Sequence, residues 1–163
     1  MESDKIKNHL LVDGKLQVCE ALKAINGHDD EFELDIFALS LNIEGIDYLS
    51  NRNCDNMEYA IIDLQKQLPD NIQIACCQSC KHGNFCPYGD IENEIFCLFD
   101  FNPKDKMDVV EIFNYSEYMK SPEDGGCLRF PKKELLNYCE KYDKIDDDNY
   151  YTYNGWNYDV KVK

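Results

Sequence analysis

Histidine is scarce in this chain, with only His9, His28 and His82 present. No H-x-x-x-H, H-E-x-x-H or H-x-E…C-x-x-C arrangement occurs, so the usual catalytic zinc constellations have no counterpart here. A phosphate-cradling G-x-x-x-x-G-K and a nucleophile elbow G-x-S-x-G are missing too. Basic residues are few, 17 against 32 acidic ones, for a formal charge of -15. Such a surface repels phosphate backbones and anionic lipid, so direct nucleic-acid or membrane binding is not expected. No segment approaches the roughly 18 apolar residues of a membrane span, and the opening MESDKIKNHLLVDG lacks the apolar run of a signal peptide. The expected compartment is the cytoplasm. Tryptophan occurs once, at Trp156.

What the chain has in quantity is cysteine, nine in 163 residues. Five of the nine fall in ACCQSCKHGNFCPYGDIENEIFC, residues Ala75–Cys97. An odd number of cysteines in a cytoplasmic chain argues against a disulfide framework and for free thiols or a metal. Zinc leads, because thiolates at C-x2-C spacing share one tetrahedral ion. Cys77 and Cys80 form such a pair, and Gly83 and Gly89 let the backbone fold around an ion. Cys76 offers an alternative pairing with Cys80, but C-x3-C is a less usual knuckle, and Cys76 is expected to point away into the core. Cys97 supplies a third ligand. The fourth is open: Cys86 completes the site within one segment, whereas Cys127 reaches it from a distant loop. His82 is a reserve ligand, although a solvated loop histidine is the commoner case. Cys19, Cys54 and Cys139 read as small buried apolar residues.

Rival uses of these thiols fit less well. A redox C-x2-C pair needs its first cysteine at a helix N-terminus, and here it follows a short strand and runs into a loop. Iron–sulfur spacings such as C-x2-C-x2-C-x3-C do not match. A tetrathiolate zinc has no open coordination position, so the expected site is structural and no catalytic residue is assigned.

The rest of the chain reads as a single α+β domain over 1–163, with a mostly antiparallel sheet and one main helix. Residues 76–97, joined by 127, form its cysteine-rich metal site. Asn8–Val12 and Lys15–Leu22 flank Asp13-Gly14, a strong hairpin signal. In EFELDIFALSLNIEGIDYL, Phe32, Leu34 and Ile36 alternate with acidic residues as a half-buried strand. Leu39, Leu41 and Ile43 sit on the opposite parity, which predicts a bulge or a second strand. Asp55–Leu68 reads as an amphipathic helix capped by Asp55 or Asn56, with Met57, Ile61, Leu64 and Leu68 at helical spacing and Pro69 ending it. Asn71–Ala75, Glu94–Phe101 and Met107–Phe113 are predicted strands. Pro131–Lys141 is predicted to be a short helix.

Residues 146–160, DDDNYYTYNGWNYDV, combine carboxylates with tyrosines and the single tryptophan, and alternation around Asn154-Gly155 predicts a terminal hairpin. Asp146, Asp147, Asp148, Tyr150, Tyr151 and Trp156 are the candidate partner-binding residues, since such rings bury much area at little entropic cost. The competing reading has the rings covering an edge of the chain's own sheet.

The run LPDNIQIACCQSCKHGNFCPYG, with IFC and GGC after it, resembles a bacterial family of uncharacterised proteins. The matching positions are Leu68-Pro69, Cys76, Cys77, Cys80, Phe85, Pro87, Gly89, Cys97 and Cys127. The resemblance covers the middle third of the chain and implies no activity. It implies Cys127 over Cys86 as fourth ligand, because Cys86 stands outside that pattern. The expected function is an inhibitor or immunity protein that neutralises a basic toxin or nuclease, opposite charge steering the encounter. The alternatives are a metal- or thiol-dependent enzyme and an adaptor subunit of a larger assembly.

Overall fold

The computed structural model describes residues 3–29, 34–51, 54–86, 93–114, 132–145, 155, 156 and 160. The chain is α+β, and every named strand pairing is antiparallel. It gathers into two compact units, Met1–Cys76 with Trp156–Lys163, and Cys77–Gly155. Among the described residues no helix is long and apolar enough to cross a membrane.

The first unit is a five-stranded sheet with one helix. Strands β1 (Ser3–Val12) and β2 (Lys15–Asp29) meet at Asp13-Gly14, whose φ values of 50° and 75° are those of a tight primed turn. The two run several residues beyond the hydrophobic stretches that announce them. Strand β3 (Leu34–Ile43) is unbroken. The predicted irregularity falls on its neighbour instead, between Ile25 and Gly27 of β2, so Asn26 is the extra residue. Strand β4 (Ile46–Leu49) returns through Glu44-Gly45, a second two-residue turn with φ of 52° and 85°. Helix α1 (Met57–Gln67) begins at Asn56, whose side chain accepts the Tyr59 N–H at 2.9 Å, and stops at Leu68 before Pro69. Its Ile61 and Leu64 are buried, and it packs on β3 and β4. Strand β5 (Ile72–Ile74) pairs with β1, giving the order β4-β3-β2-β1-β5.

Gln65 joins α1 to β5. Its Nε2 donates to the Ile72 carbonyl at 2.9 Å and its Oε1 accepts the Ile74 N–H at 2.7 Å. A buried side-chain amide thereby does for the outer edge of β5 what a further strand would do.

The second unit is a three-stranded sheet in the order β6-β7-β8: β6 (Gly83–Asn84), β7 (Glu94–Cys97) and β8 (Lys132–Glu134). After β7 a 3-10 turn at Phe99–Phe101 leads to helix α2 (Lys106–Asn114). Three predictions are corrected here. The strand expected over Glu94–Phe101 stops at Cys97, and Phe99–Phe101 is a 3-10 turn. Met107–Phe113 is helical, not a strand. The Asp105 side chain caps the helix by accepting the Asp108 N–H at 2.9 Å, and the Asp108 carboxylate accepts the Lys104 N–H at 2.8 Å, just before the cap. The helix then buries Val109 and Phe113 against Phe96 and Leu98, with the Phe96 and Phe113 rings edge-to-face at 5.4 Å. Capping and packing override the β preference of the Val-Val-x-Ile-Phe run. Pro131–Lys141 is likewise not a helix: 132–134 pair with β7, and turns follow at Glu134–Asn137 and Cys139–Tyr142.

Candidate metal centre

The small sheet has two working faces. Phe96 looks toward α2. Its neighbours Ile95 and Cys97 point the other way, as the period of two requires. Gly83 lies opposite Cys97 and Lys133 opposite Ile95, so these four share one face. A cleft lies on this face, enclosing about 280 Å³ with its open mouth included. It is lined by Cys77, Cys80, His82, Gly83, Ile95, Cys97, Lys133, Cys139 and Lys141.

Main-chain bonding explains why residues so far apart in sequence meet there. The C-x2-C segment closes as a turn, with the Cys80 N–H on the Cys77 carbonyl at 3.3 Å and the Gly83 N–H on the Cys80 carbonyl at 2.9 Å. The chain after β8 docks along it. Cys77 N–H donates to Asn137 O at 2.7 Å, Gln78 N–H to Leu135 O at 3.2 Å, and Lys81 N–H to Asp143 O at 2.9 Å. An ion pair between Lys81 and Asp143 and the Ser79–Tyr142 hydroxyl contact at 3.2 Å fasten the same two segments. The turn closed by the Tyr142 N–H on the Cys139 carbonyl, 2.9 Å, delivers Cys139 to the cleft. Gly83 is required by space: a Cβ there would stand 2.1 Å from the Cys77 carbonyl oxygen and 2.9 Å from Ile95 Cδ1.

Burial pushes the Cys80 thiol up, and the neighbouring Cys97 and Cys139 push it the same way. The backbone N–H groups of Asp143 and His82 hydrogen-bond its sulfur and pull in the opposite direction without prevailing. A nucleophilic or redox cysteine needs the reverse, a depressed pKa. Burial likewise raises the Cys19 and Cys54 thiols. His82, half-buried, is held below its ordinary value by burial and by Lys81, with Asp143 opposing. Its ring meets Phe99 edge-on at 4.9 Å, and Lys141 Nζ sits 4.2 Å from the Phe99 centroid and 3.6 Å from an Asp100 oxygen.

Of the predicted ligands, Cys77, Cys80 and Cys97 are thus brought together, with His82 beside them. Cys76 is fully buried, as expected of a residue turned into the core. Cys86 is elsewhere, packed on the Phe96–Leu98–Val109–Phe113 cluster. Cys127 lies outside the described residues, as do Asp146, Asp147, Asp148, Tyr150, Tyr151 and most of the expected tail hairpin. Trp156 is only 3% exposed, in the first unit, so its indole offers no open surface to a partner. Cys139 is the residue that sequence reasoning misplaced. It is exposed and lines the cleft, where a buried apolar cysteine was expected. Nothing in its local sequence announces this, because its neighbourhood is made by pairing with a segment far upstream.

The eight described cysteines are all unbridged. Among the described residues no three His, Cys, Asp or Glu side chains stand at metal-ligating separations, so rotation of the thiols toward a common centre is needed for an ion to be held. No protein-family profile, curated protein or solved structure matches the chain.

Proposed function

We propose that this is a non-catalytic acidic binding protein, an inhibitor or immunity protein for a basic toxin or nuclease, whose Cys77–Gly155 unit is stapled by one structural zinc. The observation that carries the reading is the cleft lined by four thiols, Cys77, Cys80, Cys97 and Cys139. Thiols gathered this way suit holding a soft cation, and suit nucleophilic attack poorly. Zinc fully ligated by sulfur stabilises a loop and activates no water. The charge of -15 supplies the long-range attraction for a cationic partner, and it disfavours nucleic acid and membrane. The carboxylates and rings of 146–151 are the contact surface in this reading, and the cytoplasm, which keeps thiols reduced, is its compartment.

Two measurements test it. Elemental analysis of anaerobically prepared full-length protein should find one zinc per chain, and a strong chelator should lower the unfolding temperature. Metal-free protein of undiminished stability overturns the zinc. Co-expression with the basic product of an adjacent gene should relieve that product's toxicity, and the complex should weaken steeply with salt. Absence of relief, with no salt-sensitive complex, overturns the inhibitor. The thiol-enzyme alternative requires one cleft cysteine to be alkylated far faster than the rest in metal-loaded protein.

A further inference from the structure

Resting on the zinc reading above, we propose that Cys77, Cys80, Cys97 and Cys139 are the four ligands, with Lys133 and Lys141 balancing the charge of the tetrathiolate. Cys139 then takes the place expected of Cys127 or Cys86.

Three independent features of the cleft converge on this set. The first is placement: the four sulfurs come from the C-x2-C turn, from the cleft face of β7 and from the turn after β8, three separately hydrogen-bonded pieces of backbone around one space. Cys86 packs on the α2 cluster and not in this cleft. The second is charge. Zn²⁺ with four thiolates carries two net negative charges, an expensive addition to a chain already at -15. Two lysines border the cleft, and Lys141 is held in place by Phe99 and Asp100. The third is hydrogen bonding: two backbone N–H groups, of His82 and Asp143, point at the Cys80 sulfur. Donors aimed at a ligating sulfur orient it, and they stabilise the thiolate once the ion is bound. Binding exchanges each S–H bond for an S–Zn bond and releases that proton to solvent, with no change in oxidation state.

The ion ties the end of the second unit to its beginning. With Cys139 as ligand, zinc locks the 135–145 return segment onto the C-x2-C turn it already lines. With a ligand from elsewhere, that segment would rest on its hydrogen bonds, the Lys81–Asp143 ion pair and the burial of Leu135 and Ile145.

The test compares single variants of the full chain by zinc competition against a chromogenic chelator and by the spectrum of the Co²⁺-substituted protein. Cys139→Ser should weaken zinc binding beyond the roughly 10–100-fold typical of losing an outer-shell partner, and should move the Co²⁺ spectrum away from four-sulfur coordination. Cys86→Ser and Cys127→Ser should leave both unchanged. Cys139→His should recover binding with a three-sulfur, one-nitrogen spectrum, and it serves as the test if the serine variant does not fold. Lys141→Ala should weaken binding about 10-fold, as an outer-shell loss. Wild-type affinity and spectrum in both Cys139 variants overturns the assignment, and so does loss of the ion in Cys127→Ser or Cys86→Ser. A wild-type chain that takes up no zinc is a different failure: it removes the structural zinc itself.

Discussion

Replacing Gly83 with alanine separates two opposite expectations. At a glycine whose backbone suits any residue, alanine stabilises by about 0.4–1 kcal/mol, because the unfolded chain loses freedom. At Gly83 the added methyl would sit 2.1 Å from the Cys77 carbonyl oxygen, and real Cβ contacts essentially never fall under 3.0 Å. The carbonyl must therefore retreat by at least 0.9 Å, the difference of those two distances. It is not free to do so. The same peptide group receives the Cys80 N–H, and the Cys77 N–H is committed to Asn137 at 2.7 Å. Overpacking of this kind costs about 1–3 kcal/mol, which outweighs the entropic gain. Gly83→Ala should lower the urea midpoint with little change in slope, and should loosen the proposed zinc at the adjoining turn. Adding Ile95→Val removes the 2.9 Å contact with Cδ1 but leaves the backbone clash, so the double variant should recover only part of the loss. A Gly83→Ala protein as stable as wild type, with unchanged metal affinity, refutes the reasoning.

Other perturbations reach the rest of the molecule. Gln65→Met keeps the volume but strands the Ile72 carbonyl and the Ile74 N–H, and should cost about 2 kcal/mol or more in urea unfolding; a loss under about 0.5 kcal/mol would mean that water replaces both bonds. Phe96→Ala empties the centre of the α2 cluster and should cost about 3–5 kcal/mol by the same measurement. His9 is held below its ordinary pKa by partial burial first and by Lys7 second. The native state therefore binds fewer protons than the unfolded one, so this contribution is intact above the unfolded value near 6.5 and is lost as pH falls through the lower native value. NMR titration should place the His9 midpoint under 6.5, and His9→Gln should flatten the acid limb of stability against pH. A midpoint at or above 6.5 contradicts the assigned cause.

Elements with strong local signals were legible before the structure. Asp13-Gly14 sets a positive-φ turn that admits one hairpin register, and the Asn56 cap, the 3.6-period stripe and Pro69 bound α1 within a residue or two. The Glu44-Gly45 turn carries the same backbone angles under a weaker sequence mark, and neither it nor the strand Ile46–Leu49 after it is among the sequence expectations. The Met107–Phe113 run misled because Val109, Val110 and Ile112 are β-branched and favour strands, while Val109 and Phe113 also stand at i and i+4. Which period counts is decided by Asp105 capping the segment and by Phe96 receiving its Val109–Phe113 stripe. Gln65 was passed over for a plainer reason: a glutamine on a helix reads as surface until a strand edge needs its amide.

The cysteines divide in the same way. Spacing alone pairs Cys77 with Cys80, since a C-x2-C turn is a local structure whose geometry is written in four consecutive residues. Composition alone determines the net charge of -15. Bringing Cys97 and Cys139 to that turn was the work of tertiary structure. The first arrives through strand alternation and register, the second through backbone hydrogen bonds between Leu135–Asp143 and Cys77–Lys81. Those bonds join groups that every residue carries, so the side chains along either segment hold no record of the partner chosen.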